Sequence, residues 1–307
     1  MTSDAPDVLL TPYRGALTGP LRRRLARALL GEALASCACG RGAARHALES
    51  VYAAVFSAPC GPAGAGFAEH LAVARYVVLF FLVDDGPAGE ARALADRLRR
   101  GDESGEDEPG RQLRALLDGL RARGADRDRL VALLADFCSA VAEEAAADLA
   151  AEPLPPDRLL HLRARTIGVL PYAECLRLVQ GLPPPDPGSA DDRLVVTAVE
   201  AVYLANDLFS AAVEGRAGPR PPSGNTVLAL ARSGEGPRAA AEGAVARYNE
   251  LVRGLAAAQD RPFAVLLARV VDGNRAAYGE LAATRYPGAP LELLPLLDRV
   301  RPDDPPS

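Results

Sequence analysis

Three side chains that carry oxygen recur at helical spacing near the end of a long apolar segment. In the stretch NDLFSAAVEG, Asn206, Ser210 and Glu214 are each four residues apart. An α-helix turns by about 100° per residue and its side chains lean toward the N-terminus, so the three groups share one stripe and Glu214 reaches back toward the other two. Amide, hydroxyl and carboxylate oxygens suit a hard cation such as Mg²⁺. The alternative is an ordinary solvated helix end.

A second cluster of acids ends another apolar segment, FFLVDDGPAGE. Asp84 and Asp85 follow the apolar residues. Gly86 and Pro87 then predict the end of the helix, and Glu90 comes after them. Two adjacent carboxylates at the negative end of a helix dipole are unfavourable, and a divalent cation would offset that. If the two helices end at the same rim, their oxygens form a multi-metal site in which Mg²⁺ bridges to substrate phosphates; the alternative is a polar helix stop.

A break is predicted within the stretch HLRARTIGVLPY. Gly168, with Pro171 three residues later, interrupts an otherwise helical pattern that includes Arg163. Such a break frees backbone carbonyls, which could point into a cavity as fixed dipoles. The alternative is a kinked helix that serves packing alone.

A further arginine follows the last long helical segment, in ATRYPG. The planar guanidinium of Arg285 suits bidentate contact with a phosphate, and Tyr286 lies next to it. The alternative is a terminal surface arginine that is only solvated.

These groups must be positioned by helices, because helical periodicity of the apolar residues runs through almost the whole chain. Gly and Pro clusters separate the segments, and no linker requires a second domain. The sequence predicts an all-α fold, a single-domain helical bundle over residues 1–307, with 1–20 and 300–307 flexible. Segments 67–84 and 195–210 are apolar on most sides and are predicted to lie centrally. The predicted helices are 21–35, 42–57, 67–84, 88–100, 111–123, 127–150, 157–181, 190–215, 224–232, 237–259 and 262–284.

The composition argues against several classes of function. Of the 307 residues, 49% are hydrophobic and 24% charged, with a net charge of −5, which is typical of a globular protein. A slightly acidic chain without a basic cluster argues against nucleic acid. Five cysteines, an odd number without CxxC spacing, indicate free thiols in a reducing cytoplasm. The N-terminus lacks the pattern of a signal peptide, and the apolar run 71–83 is too short to span a bilayer.

Together these motifs resemble those of the bacterial class I terpene synthases, also called terpene cyclases. The resemblance covers roughly residues 50–290 and includes DDGPAGE, RARTIG, NDLFSAAVE and RY in this order. Its most specific part is the NSE triad, (N/D)DxxSxxxE, which Asn206, Ser210 and Glu214 match in full. The resemblance implies the class I terpenoid synthase fold and a cyclase that ionises a linear prenyl diphosphate with a Mg²⁺ cluster.

The resemblance also implies roles for the matching residues. The implied metal ligands, from the acidic motif and the triad, are Asp84, Asp85, Glu90, Asn206, Ser210 and Glu214. The residues implied to act on the diphosphate or its ionisation are Arg163 (the pyrophosphate sensor), Thr166 (the linker), Ile167 and Gly168 (the backbone effector), Arg285 and Tyr286. Three Mg²⁺ ions are expected, with Mn²⁺ as a possible substitute.

The sequence departs from the family pattern at three places. The acidic motif is DDxxxxE, rather than the commoner DDxxD or DDxxxE, so Glu90 lies further from the aspartates than in the usual pattern. Val213 stands where a lysine often precedes the last triad residue, so one diphosphate contact is absent. The tryptophan usual before the RY pair is missing, and Tyr278 lies nearest to that position.

The implied reaction needs a dry cavity, because water would quench the carbocation. Aromatic faces can stabilise such a cation without reacting with it. The many small residues predict a roomy pocket, which favours a C20 substrate, geranylgeranyl diphosphate, over C15 farnesyl diphosphate. The candidate cavity residues are Phe56, Phe80, Phe81, Tyr172, Tyr203 and Tyr278.

Two alternatives stay open. A chain-elongating or head-to-head prenyltransferase shares the fold but uses two aspartate-rich motifs, whereas the second cluster here is Asn/Ser/Glu. A non-catalytic helical binding protein would have the fold without the chemistry. The expected partner is a prenyl diphosphate substrate, without nucleic acid or a membrane span, and a homodimer is compatible with the sequence.

Overall fold

The computed structural model describes residues 19–36, 65–122, 126–150, 154–216, 224–281, 285–286 and 288–300. Within these ranges the chain forms eleven α-helices and no strand, which confirms the predicted all-α class. In chain order the helices are α1 (Pro20–Ser36), α2 (Phe67–Asp84), α3 (Ala88–Arg99), α4 (Glu108–Arg121), α5 (Asp128–Ala150), α6 (Pro156–Thr166), α7 (Val169–Gln180), α8 (Ala190–Glu214), α9 (Thr226–Leu230), α10 (Pro237–Ala256) and α11 (Pro262–Leu281).

The helices agree with the predicted ones to within three residues at each end, with one difference. The predicted segment 157–181 consists of two helices, α6 and α7, and the predicted break at Gly168 separates them. The predicted helix 42–57, with Phe56, lies outside the described residues, as do most residues of the two predicted flexible ends. That residues 1–307 form one domain stays a prediction.

Local sequence fixes the ends of the two helices that carry the acidic motifs. The helix α2 ends at Asp84 because Gly86 makes a tight turn, in which an added Cβ would lie 2.4 Å from the carbonyl oxygen of Leu82. Pro87, which has no N–H, then occupies the N-cap position just before α3. The 25-residue helix α8 begins after Ser189, whose hydroxyl accepts a hydrogen bond from a backbone N–H in the first turn.

The helices α2 and α8 lie in the core, as predicted. Most residues of α2 from Ala72 to Val83 are buried, and this helix packs against α1, α4 and α7. The helix α8 packs against α10, α11 and α7. The helix α7 therefore contacts both helices that end in acidic motifs, and its neighbour α6 also contacts α8.

Among the described helices, α8 alone is long and apolar enough to cross a bilayer. However, 67% of its apolar window is buried inside the fold. The apolar character of α8 is therefore accounted for by its packing in the core of the helical bundle.

Candidate metal and diphosphate site

The three residues of the triad lie along the last turns of α8. Asn206 and Glu214 are partly exposed, whereas only 5% of Ser210 is exposed. The side-chain amide of Asn225 donates both to Ser210 Oγ and to Glu214 Oε2. The structure therefore places the Ser210 and Glu214 oxygens on one side of the helix, in line with their four-residue spacing.

A buried arginine from α6 joins this helix end. Arg163, 8% exposed, donates from Nε to Asp207 Oδ1 at 2.7 Å and from Nη2 to Asn206 Oδ1 at 2.5 Å. Its Nη1 donates to Thr166 Oγ1 at 3.3 Å. Asp207 is fully buried and also accepts from the backbone N–H and the hydroxyl of Thr226. Asp207 therefore serves as the counter-ion of Arg163.

Several more carboxylates surround Arg163. Burial by itself lowers the pKa of this guanidinium, but Asp207, Glu144, Glu214 and Asp84 together raise it. Glu144 belongs to α5, and burial raises the pKa of its carboxyl to about 7 although Arg163 lowers it. The site thus contains more negative charge than a single buried arginine compensates.

The end of α2 shares this electrostatic field. The pKa of the Asp84 carboxyl is raised to about 6, mainly by burial and then by Asp85. Arg285 and Arg163 lower it, while Glu214 from α8 raises it further. The acids of the two helix ends are therefore close enough to repel each other.

The C-terminal RY pair links the two helix ends. Arg285 makes a bidentate ion pair with Asp85, with N–O distances of 2.7 and 2.8 Å, and one of its nitrogens lies 3.8 Å from Asp84. Its guanidinium lies 4.1 Å from the centre of the Phe81 ring. The Tyr286 hydroxyl accepts from Asn206 Nδ2 at 3.3 Å. One residue pair thus contacts both acidic motifs.

The donor set fits a hard cation. Among the described residues no three His, Cys, Asp or Glu side chains form a metal-binding group by themselves, so a site here requires the amide and hydroxyl oxygens of Asn206 and Ser210. Oxygen-only sets of this type suit Mg²⁺, and a cation would relieve the repulsion between Asp84 and Glu214. Glu90 is exposed in the first turn of α3, and its predicted metal binding stays a prediction.

The helix break differs in one respect from the sequence-based expectation. Gly168 has φ +70°, and an added Cβ would lie 2.4 Å from the Phe80 ring, so only glycine fits. Its carbonyl oxygen, however, is not free: it accepts from the Tyr76 hydroxyl at 2.5 Å and from the backbone N–H of Tyr172 at 3.2 Å. The preceding residue, Ile167, is 8% exposed.

The ring–ring contacts among the described residues fall into two groups. On the α2 side, Tyr76 contacts Tyr172 at a centroid distance of 5.5 Å, and Phe80 contacts Phe81 and Phe137. On the α8 side, Tyr278 stacks on Phe209 at 4.7 Å and contacts Tyr286. Tyr203 of α8 is buried, 6% exposed. The predicted cavity residues other than Phe56 therefore lie on or beside the two central helices.

Two surface pockets lie away from these residues. One, of about 410 Å³, is lined by α10, α11 and the C-terminal segment, and the other, of about 500 Å³, lies between α3 and α5. Neither is lined by a predicted site residue, so neither supports the predicted roomy substrate pocket.

Sequence comparison identifies the family to which the chain belongs. The family profile described as "Terpene synthase family 2, C-terminal metal binding" matches residues 75–255, more than half of the chain. The chain therefore belongs to the terpene synthase family, which confirms the prediction of a terpene synthase. No curated protein sequence matches the chain.

Solved structures show the same fold at low sequence identity. Linalool/nerolidol synthase from Streptomyces clavuligerus, in complex with 2-fluorogeranyl diphosphate, has 23% identity and a TM-score of 0.64, covering 88% of this chain and 100% of its own. The SVS_A2 protein from ancestral sequence reconstruction has 20% identity and a TM-score of 0.70, covering 88% and 89%. The 2-methylisoborneol synthase of Streptomyces coelicolor A3(2), in complex with Mg²⁺ and geranyl-S-thiolodiphosphate, has 21% identity and a TM-score of 0.68, covering 88% and 94%.

Sequence reasoning missed four residues of the site. Tyr76 and Glu144 carry no motif, and their positions depend on how α2 and α5 pack. Asn225 and Thr226 had a local signal, since asparagine at the start of a short helical segment is a typical N-cap. Their contacts to α8 could not be inferred from that signal.

Proposed function

We propose that this protein is a class I terpene cyclase that ionises a linear prenyl diphosphate, cyclises the carbocation to a terpene hydrocarbon or alcohol, and releases diphosphate. The observation that carries the proposal is the convergence of two acidic helix ends around buried Arg163, with Arg285 and Tyr286 contacting both ends. Membership in the terpene synthase family supports the same reaction class.

Metal ions would be held by oxygens from both helix ends. The proposed ligands are Asp84, Asp85, Glu90, Asn206, Ser210 and Glu214. Three Mg²⁺ ions are expected, with Mn²⁺ as a possible substitute, and when bound they supply Lewis-acid stabilisation of the departing diphosphate. The Mg²⁺ complex of 2-methylisoborneol synthase supports the choice of ion.

The chain's own cations would bind the diphosphate. Arg163 offers buried N–H donors, Arg285 offers partly exposed ones and Tyr286 adds a hydroxyl, so negative charge on the leaving group meets several hydrogen-bond donors. Arg285 is paired with Asp85 and Arg163 with Asn206, so ligand binding requires these partners to be exchanged.

Ionisation breaks the C–O bond of the prenyl diphosphate, and the diphosphate keeps the electron pair. The apolar residues of α2 and α8 exclude water from the resulting cation, and the neighbouring aromatic faces stabilise it. Thr166, Ile167 and Gly168 are proposed to couple diphosphate contact at Arg163 to the cavity through the backbone. Small residues favour geranylgeranyl over farnesyl diphosphate.

The test is incubation of the purified protein and Mg²⁺ with geranyl, farnesyl and geranylgeranyl diphosphate, followed by mass spectrometry and a diphosphate-release assay. A cyclic terpene from one substrate is expected. The proposal would be refuted if the protein turned over none of the three substrates. Longer linear products after addition of isopentenyl diphosphate would indicate a prenyltransferase instead, and binding without diphosphate release would indicate a non-catalytic protein. A cytoplasmic location and a homodimer stay predictions.

A further inference from the structure

Asn225, which precedes the short helix α9, contacts the end of α8 through one amide group. Only 2% of the residue is exposed. Its Nδ2 lies 2.7 Å from Glu214 Oε2, 3.3 Å from Ser210 Oγ and 2.9 Å from the carbonyl oxygen of Asp207. Its Oδ1 accepts from the backbone N–H of Leu228 at 2.9 Å and so caps α9. Asn225 thus contacts two of the three triad residues directly.

These contacts restrict the residues that the proposed metal site needs. Glu214 is the last residue of α8, and its long side chain would otherwise sample many rotamers. The bond to Oε2 fixes one carboxylate oxygen and leaves Oε1 available. Ser210 uses one lone pair as acceptor and retains the other. Both side chains are therefore oriented while each keeps a free oxygen lone pair.

The neighbours of Asn225 hold it firmly in place. Thr226 donates from its backbone N–H and its hydroxyl to Asp207 Oδ2, at 2.8 and 2.7 Å. On the other side, Gly224 lies against Glu144 of α5, because an added Cβ would be 1.6 Å from Glu144 Oε1. Residues 224–226 are therefore fixed between α5 and α8, which makes the Asn225 amide a rigid donor rather than a mobile one.

We propose that Asn225 is a positioning residue of the metal site, whose amide holds Ser210 and Glu214 in the orientation that binds Mg²⁺. The inference rests on the proposed function and deepens it. The competing explanation is that Asn225 only caps α9, in which case any residue with a capping oxygen replaces it.

Two variants separate these explanations. Asn225→Asp keeps an N-cap oxygen but places a carboxylate against Glu214, and Asn225→Ser keeps a neutral capping oxygen without the amide. The matched control is Asn249→Asp, since Asn249 also donates its amide to a backbone carbonyl, that of Leu296, and accepts from a backbone N–H, far from the acidic motifs.

Isothermal titration measures the affinity for Mg²⁺ in the presence of inorganic diphosphate. Thermal unfolding measures Tm with and without Mg²⁺ and diphosphate. Loss of a residue that orients metal ligands typically weakens metal affinity by about 10–100-fold. We expect a loss in this range for Asn225→Asp and a smaller loss for Asn225→Ser, with wild-type affinity in Asn249→Asp. The half-saturating Mg²⁺ concentration for turnover should rise in parallel.

Equal Mg²⁺ affinity in the wild type and both Asn225 variants would overturn the inference. The inference would also be overturned if the Asn225 variants lowered Tm, relative to the wild type, by the same amount with and without Mg²⁺ and diphosphate, because that pattern indicates capping alone. If the wild type binds Mg²⁺ and diphosphate but turns over no prenyl diphosphate, the proposed function fails while the role of Asn225 is still tested. If one Asn225 variant does not fold, the Mg²⁺ affinity of the other variant decides between the two explanations.

Discussion

The two acidic helix ends are held in different ways. At the end of α8, the polar groups are bonded to buried donors: Arg163, Asn225 and Thr226. At the end of α2, Asp85 is held by Arg285, which lies 200 residues away in sequence, and both side chains are partly exposed, 34% and 23%. The α8 half of the site is therefore preorganised, whereas the α2 half depends on an ion pair that solvent can reach.

This difference indicates how the site would respond to a ligand. Hydrogen bonds to buried donors make a polar network rigid. An exposed ion pair contributes little stability and can exchange partners easily. We therefore expect the larger rearrangement at α2 and Arg285 when metal and diphosphate bind, whereas at α8 only the bond between Arg163 and Asn206 is exchanged.

The largest expected effect is loss of catalysis at the α8 end. Asn206→Ala and Glu214→Gln should each reduce turnover of a prenyl diphosphate to below roughly one thousandth, because a proposed ligand of the charge-stabilising metal is lost. Circular dichroism should show unchanged helix content. Glu200→Gln, on the same helix but paired with Arg247, is the control and should remain active. Full activity in both site variants would remove the metal proposal.

The second prediction contrasts the two ion pairs directly. Asp207→Asn removes the carboxylate that pairs directly with buried Arg163, so the free energy of unfolding should fall by about 3–5 kcal/mol. Asp85→Asn breaks a partly exposed pair and should cost at most about 1 kcal/mol. Denaturant unfolding of metal-free protein measures both. Similar losses in the two variants would contradict the contrast between a buried and an exposed helix end.

The third prediction concerns pH. The pKa of folded Asp84, about 6, exceeds its ordinary value of 3.8, so its contribution to stability is complete below the ordinary value and is lost as the pH rises through about 6. Glu144, with a pKa of about 7 against 4.5, acts in the same direction at higher pH. Metal-free wild type should therefore lose stability as pH rises over this window.

Two variants assign that pH dependence to residues. Asp84→Asn should flatten the lower part of the Tm-against-pH curve, and Glu144→Gln the upper part. An unchanged slope in both variants would show that other groups control it.

The smallest expected effect is at the middle of α2. Tyr76→Phe removes one hydrogen bond to the Gly168 carbonyl, which keeps its bond from Tyr172, so stability should fall by about 1 kcal/mol. Tyr248→Phe is the matched control, because the buried Tyr248 hydroxyl has no hydrogen-bond partner among the described atoms, and it should cost nothing. A changed product ratio in Tyr76→Phe alone would show that the bond also shapes the reaction.

Much of the fold could be predicted from the sequence because its signals are local. Helical periodicity gave the described helices to within three residues, and glycine and proline marked the ends of α2 and α6. Gly168 was predicted to break the helix since only its local conformation was needed for that inference. Its bond to Tyr76 was not predicted, because it joins residues 92 apart in sequence.

The sequence by itself determined the chemistry available to the site and its order along the chain. Asn206, Ser210 and Glu214 share a stripe because helix geometry relates residues four apart, whatever surrounds them. Only the tertiary structure decided which groups oppose them. Arg285 reaches Asp85, and Asn225 reaches Glu214, through the packing of whole helices and the course of the loops between them. Those contacts depend on many weak interactions between residues that are distant in sequence, so no local sequence pattern predicts them.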